Sequence, residues 1–349
     1  MALPARIQTP RLTLDPVRPG MAAAMADALA DPRVSFWLAR VPHPYGLADA
    51  QAFIAAARRS GRLSWAVLQG GRFCGMVGLE GHLGFWLIPE LWGKGLMAEA
   101  AGAVLAQYFA DPDAPPLTSG YFAGNDRSAA LLRRLGFAPR GALHPVRCLS
   151  QARDLPHQDM VLAPEQWHLL NPPRIAAAGG LFLRPLTGQD APALCAALGR
   201  VEVAPMLTSV PLPWSEAAAR AWIERGRWRG RVGFRLGICA ADGALIGVVG
   251  LGGTPVTCMY ALDPAHWGRG HATAAMRAFL DWCFARFGLD AVQADHFDDN
   301  PASGRVLQKL GFRRAGQDRG GSAARLEPAA KTLYRLTRRE WKAAIHEVS

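Results

Sequence analysis

Apolar positions along this chain recur at two spacings, and the spacing switches several times. Short runs such as Leu12-Thr13-Leu14 and Leu181-Phe182-Leu183 predict strands opening each half. Alanine-rich stretches at about 20–29 and 190–198, and then at 49–59 and 216–225, read as helices. Segments 64–68, 73–79 and 84–88 read as consecutive strands joined by glycine turns, and 233–240, 245–251 and 258–262 repeat the pattern. Farther on, Ala272, Met276, Phe279, Leu280, Cys283 and Phe287 recur at helical spacing, as do Leu96, Ala100, Ala103 and Val104. This order predicts an α/β (α+β) chain with a strand meander in the middle of each half.

The two halves are copies. Pro89-Glu90-Leu91-Trp92-Gly93-Lys94-Gly95-Leu96-Met97-Ala98 is matched 175 residues later by Pro264-Ala265-His266-Trp267-Gly268-Arg269-Gly270-His271-Ala272-Thr273. At the same offset, Asn125-x-x-Ser128 followed by Leu135-Gly136-Phe137 is matched by Asn300-x-x-Ser303 followed by Leu310-Gly311-Phe312. Each half then closes alike, on Leu162-Ala163-Pro164-Glu165-Gln166-Trp167 and on Leu336-Thr337-Arg338-Arg339-Glu340-Trp341. Three blocks at a nearly constant offset indicate a duplicated domain. The join falls at Asn171-Pro172-Pro173, where paired prolines stop a helix, giving domains at 1–170 and 174–349.

In both copies a strand runs into Gly-x-Gly and then a helix, which is the arrangement of an anion site. Gly93 and Gly95, like Gly268 and Gly270, let backbone N–H groups converge where the helix start favours negative charge, and Lys94 or Arg269 adds a cation. One Gly-x-Gly is an ordinary tight turn; two at the same place in a repeat are not. Neither copy continues as Gly-x-x-x-x-Gly-Lys-Ser/Thr, and neither has the third spaced glycine of a dinucleotide fingerprint.

Composition narrows the partners. The 349 residues carry 39 Lys plus Arg against 28 Asp plus Glu, a formal charge of +11, but only four of the basic residues are Lys and the Arg are dispersed. The densest group, Arg225 to Arg231, is short and mixed with Gly and Trp228, so the surplus reads as a solvated surface that favours acidic ligands, with no specific nucleic-acid partner. Apolar runs stay well below the ~18 residues of a membrane span, and Met1 to Arg11 holds no hydrophobic signal core, so a cytoplasmic protein is expected. The six cysteines form no Cys-x-x-Cys and the nine histidines no metal-ligand spacing, so no disulfide and no metal are expected.

Trp-Gly-Lys/Arg-Gly followed about 30 residues later by Asn-x-x-Ser and Leu-Gly-Phe resembles the GNAT superfamily of acyl-CoA N-acyltransferases, in particular the branch that acetylates ribosomal-protein N-terminal amines. The likeness spans nearly all of both halves. It implies two tandem GNAT domains, each a mixed, mostly antiparallel sheet flanked by helices and splayed after its fourth strand to admit acetyl-CoA. The cofactor would touch Leu87, Ile88, Trp92, Gly93, Lys94, Gly95, Leu96, Met97, Ala98 and Asn125 in one copy. In the other it would touch Leu262, Trp267, Gly268, Arg269, Gly270, His271, Ala272, Thr273 and Asn300. Met97 departs from the small residue of the wider superfamily, which a backbone contact tolerates.

By the same resemblance Ser128 and Ser303 would protonate the leaving thiolate, since the Tyr used by many relatives is replaced by Leu132 and Leu307; a cap hydroxyl is the alternative. Backbone amides around 86–88 and 261–263 would hold the oxyanion. Candidate bases are His82 with Glu80 in the first half, against Thr257 in the second, where His296, Asp298 and Asp299 precede Asn300. Trp86, Trp92, Trp228 and Trp267 could wall a peptide cleft or serve as core anchors. An α-amine titrates near 8 and lysine near 10.4, so deprotonating lysine costs roughly 3 kcal/mol more, and a site without a strong base suits a protein N-terminus. The acceptor alternatives are a small-molecule amine, or no acceptor in a sensor of acetyl-CoA. A fused repeat is expected to satisfy a dimer-like interface within one chain, as a pseudo-dimeric monomer.

Overall fold

The computed structural model describes residues 3–60, 63–111 and 113–346. The chain divides into two compact units, Met1–Leu170 and Asn171–Ser349. In the first, a five-stranded sheet runs in order through β1 (Ile7–Gln8), β2 (Thr13–Pro16), β3 (Leu63–Gln69), β4 (Arg72–Leu79) and β5 (Leu83–Leu87). A three-stranded sheet has β6 (Leu117–Phe122) beside β8 (Arg153–Leu162), with β7 (Ala138–Cys148) outermost. The helices are α1 (Ala22–Ala30), α2 (Pro32–Ser35), α3 (Leu47–Ser60), α4 (Leu96–Tyr108), α5 (Asp126–Arg134) and α6 (Pro164–Leu170).

Alternation along the strands sorts the side chains into two layers. Trp65, Val67, Val77 and Leu79 pack with Ala100, Ala101, Val104 and Leu105 of α4, while Ala66, Phe73 and Met76 pack with Met25 and Leu29 of α1 and Ile54 of α3. Gly70 and Gly71, both at positive φ, form the two-residue loop that sets Gln69 opposite Arg72. The two-residue β1 and the one-turn α2 lie outside the sequence expectation, being too short to show a period.

The second unit repeats the plan in one eight-stranded sheet. Its elements are β9 (Ile175–Ala176), β10 (Phe182–Pro185), α7 (Ala191–Leu198), α8 (Glu216–Arg225), β11 (Phe234–Cys239), β12 (Leu245–Gly252), β13 (Thr257–Leu262), α9 (His271–Phe287), β14 (Ala291–Phe297), α10 (Pro301–Lys309), β15 (Arg313–Gly320), β16 (Ala329–Thr337) and α11 (Arg338–His346). Met276, Phe279, Leu280 and Cys283 of α9 press on Leu236, Ile238 and Val249, and Leu194 and Trp222 of α7 and α8 cover the other face at Val248 and Ala261. Losing the fully buried Phe279 ring would cost about 3–5 kcal/mol.

Both units are split at the same place. β5 meets β6 through the parallel bridge of His82 with Thr118, the Thr118 hydroxyl on Gly81 O (3.0 Å) and the Ser119 hydroxyl on Leu83 O (2.8 Å). β13 pairs with β14 only at Thr257 and Gln293. Beyond these points the strands part, leaving one edge of β5 and of β13 open.

Candidate active site

The glycine loops take the conformation the sequence calls for. Gly93 and Gly95 have φ of 73° and 71°, and Gly268 and Gly270 have 72° and 77°, a left-handed region where glycine carries no penalty. The first helical bond of α4 runs from Glu99 N–H to Gly95 O (3.1 Å), and that of α9 from Ala274 N–H to Gly270 O (3.0 Å). The amides of Leu96, Met97 and Ala98, and of His271, Ala272 and Thr273, therefore have no acceptor within their own helix. Met97 is buried in the α4 core, so its side chain leaves the loop face clear. Arg11 clasps the first loop from outside, donating to Lys94 O (3.1 Å) and pairing with Glu99 (2.6 Å). Burial opposes the charge on Glu99, but hydrogen bonds from Thr9 and Arg11 outweigh it and hold the carboxyl below its ordinary range.

The open strand edge is more selective than the sequence suggests. Ile88 spends its amide on Cys74 O (2.9 Å) and Asp263 spends its amide on Ile246 O (2.9 Å). Alternate residues of an antiparallel ladder turn the same way, so Leu87 and Leu262 are the ones facing the split. Ile88 is thereby corrected from oxyanion donor to ladder residue. The Leu87 and Leu262 carbonyls accept the indole N–H of Trp92 (2.9 Å) and Trp267 (3.0 Å). These tryptophans tie the glycine loop to the strand end; Arg127 lies 4.3 Å over the Trp92 ring. Trp228, a candidate cleft wall, belongs instead to the second core and is buried.

Asn125 and Asn300 are helix caps, each accepting the amide of the serine three residues on (3.2 Å in both units). In the first unit Ser128 stands half-buried on a cavity of about 960 Å³ that also touches Glu80, His82, Leu87, Trp92, Gly93, Gly95 to Ala98, Asn125 and His157. Its far wall is Trp37, Tyr45 and Phe53, from α3 and the loop before it. His82 is half-buried, and burial, then the charges of Arg40 and His157, hold its pKa below the ordinary 6.5, so it is neutral at pH 7. Glu80 is exposed at the rim.

The second unit differs on the acceptor side. Its strand register places Tyr260 where the first unit has Phe85, and the Tyr260 hydroxyl lies 2.7 Å from the Ser303 hydroxyl and donates to Ser303 O (2.9 Å). Burial pushes the Tyr260 phenol well up. The ladder puts Lys331 opposite Phe297, as His157 stands opposite Phe122. Lys331 pairs with Asp295 (3.0 Å), while Asp298 accepts the Thr332 hydroxyl (2.8 Å) and Asp299 pairs with Arg325 (2.9 Å). Asp298, expected as a base, thus sits in the contacts that hold β16. Sequence reading missed His157 and Tyr260: neither lies in a motif, and only strand pairing brings them to the split.

A splayed sheet with a glycine-loop helix start at the split is the architecture that the resemblance to the N-acyltransferases implies. The family model described as acetyltransferase (GNAT) domain matches the chain twice, at residues 11–138 and 180–313, so the chain belongs to the GNAT acetyltransferases and is an acyltransferase. The uncharacterized N-acetyltransferase YoaA of Bacillus subtilis (strain 168) is 30% identical over 143 residues, which is 39% of this chain and 81% of that protein. Among solved structures, Mycobacterium smegmatis RimJ in complex with CoA-disulfide is 23% identical, with TM-score 0.44, over 51% of this chain and 92% of that one. The ribosomal-protein-S5-alanine acetyltransferase of Vibrio fischeri is 18% identical, with TM-score 0.40, over 48% and 98%.

Proposed function

We propose that the first unit transfers the acetyl group of acetyl-CoA to a primary amine, preferably the α-amine of a protein N-terminus. The observation that carries this reading is a single cavity joining the unpaired helix-start amides, the open Leu87 edge, Ser128 and the neutral His82. The loop fits a pyrophosphate: its amides lack helical acceptors, and the space over Gly93 and Gly95 holds no neighbour closer than Arg11 Nη2 at 3.7 Å. Acetyl-CoA, when bound, supplies an activated thioester. The Leu87 amide would polarise its carbonyl. His82 takes a proton from the amine, the C–N bond forms as the C–S bond breaks, and the thiolate takes a proton from Ser128, whose hydroxyl is restored through water by the proton that His82 accepted. A base with pKa under 6.5 draws a proton from an α-ammonium near 8 far more readily than from a lysine near 10.4.

We further infer that the second unit holds acetyl-CoA without turning it over. Its loop keeps both glycines, but Tyr260 occupies Ser303, and the Lys331–Asp295 pair takes the corner open in the first unit. Both inferences are tested by thiol release from acetyl-CoA over a panel of N-terminal peptides, lysine peptides and small amines, with the acetylated atom located by mass spectrometry. N-terminal peptides should dominate, and His82→Gln should abolish turnover. Faster lysine acetylation at pH 7.5 would overturn the acceptor assignment. Turnover surviving in His82→Gln but lost in Ser303→Ala would exchange the roles of the units.

A further inference from the structure

Two imidazoles and a carboxylate converge on the β7–β8 hairpin, outside the transfer chemistry described above. His144 stands directly opposite His157 across the antiparallel ladder, and Asp159, two residues beyond His157, shares its face. His144 Nε2 lies 3.1 Å from Asp159 Oδ2, and His157 Nδ1 lies 3.1 Å from Asp159 Oδ1. One ligand atom from each of the three falls within 4.8 Å of the others. We propose that His144, His157 and Asp159 form a three-ligand site for a divalent transition metal, zinc being the best match, in the wall of the acceptor cavity.

Three features separate this arrangement from an incidental polar cluster. The first is an unsatisfied atom: His157 Nδ1 is shielded from solvent and makes no hydrogen bond, its approach to Asp159 missing the required alignment. Buried polar atoms are seldom left so, and a metal ion would satisfy this one. The second is preorganisation. The His157 ring lies over Gly120, where any Cβ would overlap it, and packs edge-on against Phe122 at 5.4 Å, so one ligand is held in place by the sheet beneath. The third is spacing. Zinc bonds to nitrogen and oxygen near 2.1 Å set neighbouring tetrahedral ligands about 3.4 Å apart, and one ligand atom from each residue already lies within 4.8 Å of the others. The exposed His144 can turn to complete the set.

The donor set selects the ion. Two neutral imidazoles with one carboxylate suit zinc, cobalt, nickel or copper and disfavour magnesium and calcium, which want oxygen alone. A fourth position remains for water, since His144 and Asp159 are nearly half exposed. The second unit offers an internal comparison. At the place of His157 it has Lys331, whose ammonium lies between Asp295 (3.0 Å) and the Phe297 ring (4.6 Å), so this corner there carries a cation of its own. The sequence shows no metal spacing because the ligands sit 13 and 2 residues apart on two strands and meet only through the ladder.

The test uses the full chain, free of any affinity tag and stripped with chelator, titrated with Co2+ and then competed with Zn2+. The expected result is one Co2+ per chain with d–d absorption of a nitrogen and oxygen site, displaced by one Zn2+. His144→Ala, at an exposed position, and Asp159→Asn, at a half-exposed one, should each weaken binding roughly tenfold or more, and the double variant should lose it. Variants whose melting matches the parent confirm that the ligands, not the fold, were removed. No stoichiometric binding by the parent chain, unchanged binding in the double variant, or thiolate charge-transfer bands pointing to a cysteine site would each overturn the proposal.

Discussion

Replacing Gly95 by alanine tests the donor half of the proposal with the smallest available change. A Cβ at position 95 would meet nothing nearer than Arg11 Nη2 at 3.7 Å, and at position 270 nothing within 4 Å, so neither substitution acts by collision. What changes is the cost of holding φ at 71° or 77°, about 1–2 kcal/mol for a residue with a side chain. That cost has two outlets. If the loop keeps its shape, the unit loses stability, and a domain of this size should melt roughly 2–8 °C lower. If the loop relaxes, the amides of 96–98 leave their converged arrangement, and the same energy appears as about a 5- to 30-fold weaker affinity for CoA. Calorimetric titration and thermal scans of Gly95→Ala and Gly270→Ala measure both outlets. Each variant should affect only its own unit, and the two losses should sum to the stated range. A variant with unchanged melting and unchanged CoA affinity would refute the claim that the left-handed glycine builds the cradle.

His82 should give kcat/KM an acid limb below pH 6.5, because protonation removes the base. Rate profiles of the parent chain on one N-terminal peptide measure that limb, and a profile without it would refute His82 as the base. Since the folded-state pKa lies below the unfolded one, the unfolded chain binds more protons in that window. Native stability should therefore fall as pH drops through it, and His82→Gln should flatten the fall, as followed by denaturant melts. Ser128→Ala should lower kcat by about 100-fold with little effect on CoA affinity, whereas Ser303→Ala should leave turnover unchanged; equal effects in steady-state assays would contradict the asymmetry of the units. Asn125→Ala and Asn300→Ala should each cost about 1 kcal/mol through loss of a cap, measured by urea unfolding.

The sequence exposes the glycine loop and the helix cap of each unit well and the side chains that face them across the split poorly, for a physical reason. A backbone cradle needs only residues that permit a conformation, and Gly93, Gly95, Gly268 and Gly270 announce it directly. Asn125 and Asn300 likewise state their capping role through local spacing. The acceptor side is assembled from side chains on strands far apart in sequence. β7 is exposed along most of its length and shows no alternation, so nothing in the chain places His144 across from His157. Trp228 reads equally as wall or core until its neighbours Phe234 and Trp282 are seen. The ladder bond of Ile88 depends on which edge of the strand faces β4, which composition cannot reveal.

The repeat itself conceals where the copies diverge. Carried at the 175-residue offset of the glycine loops, His157 would align with Thr332; the strand register aligns it with Lys331, because the closing block has slipped by one residue. A slip of one turns a strand's faces over, so sequence alignment at constant offset compares residues on opposite sides of the sheet. With the register corrected, the copies differ in the loop, where Leu96, Met97 and Ala98 become His271, Ala272 and Thr273, and also across the split from it. Phe85 becomes Tyr260, Trp86 becomes Ala261, Gly120 becomes Asp295 and His157 becomes Lys331, while the loop glycines, the anchoring tryptophans, the capping asparagines and their serines persist. The changes also compensate one another. A lysine in place of His157 requires a counter-charge, which Asp295 provides, and a phenol buried beside Ser303 requires a hydrogen-bond partner, which that serine provides. Such paired replacement fills the strand face across the split while the loop glycines keep their left-handed conformation. A single back-substitution, Tyr260→Phe, would therefore free Ser303 but leave the Lys331–Asp295 pair in the corner, and it should not create turnover in the second unit.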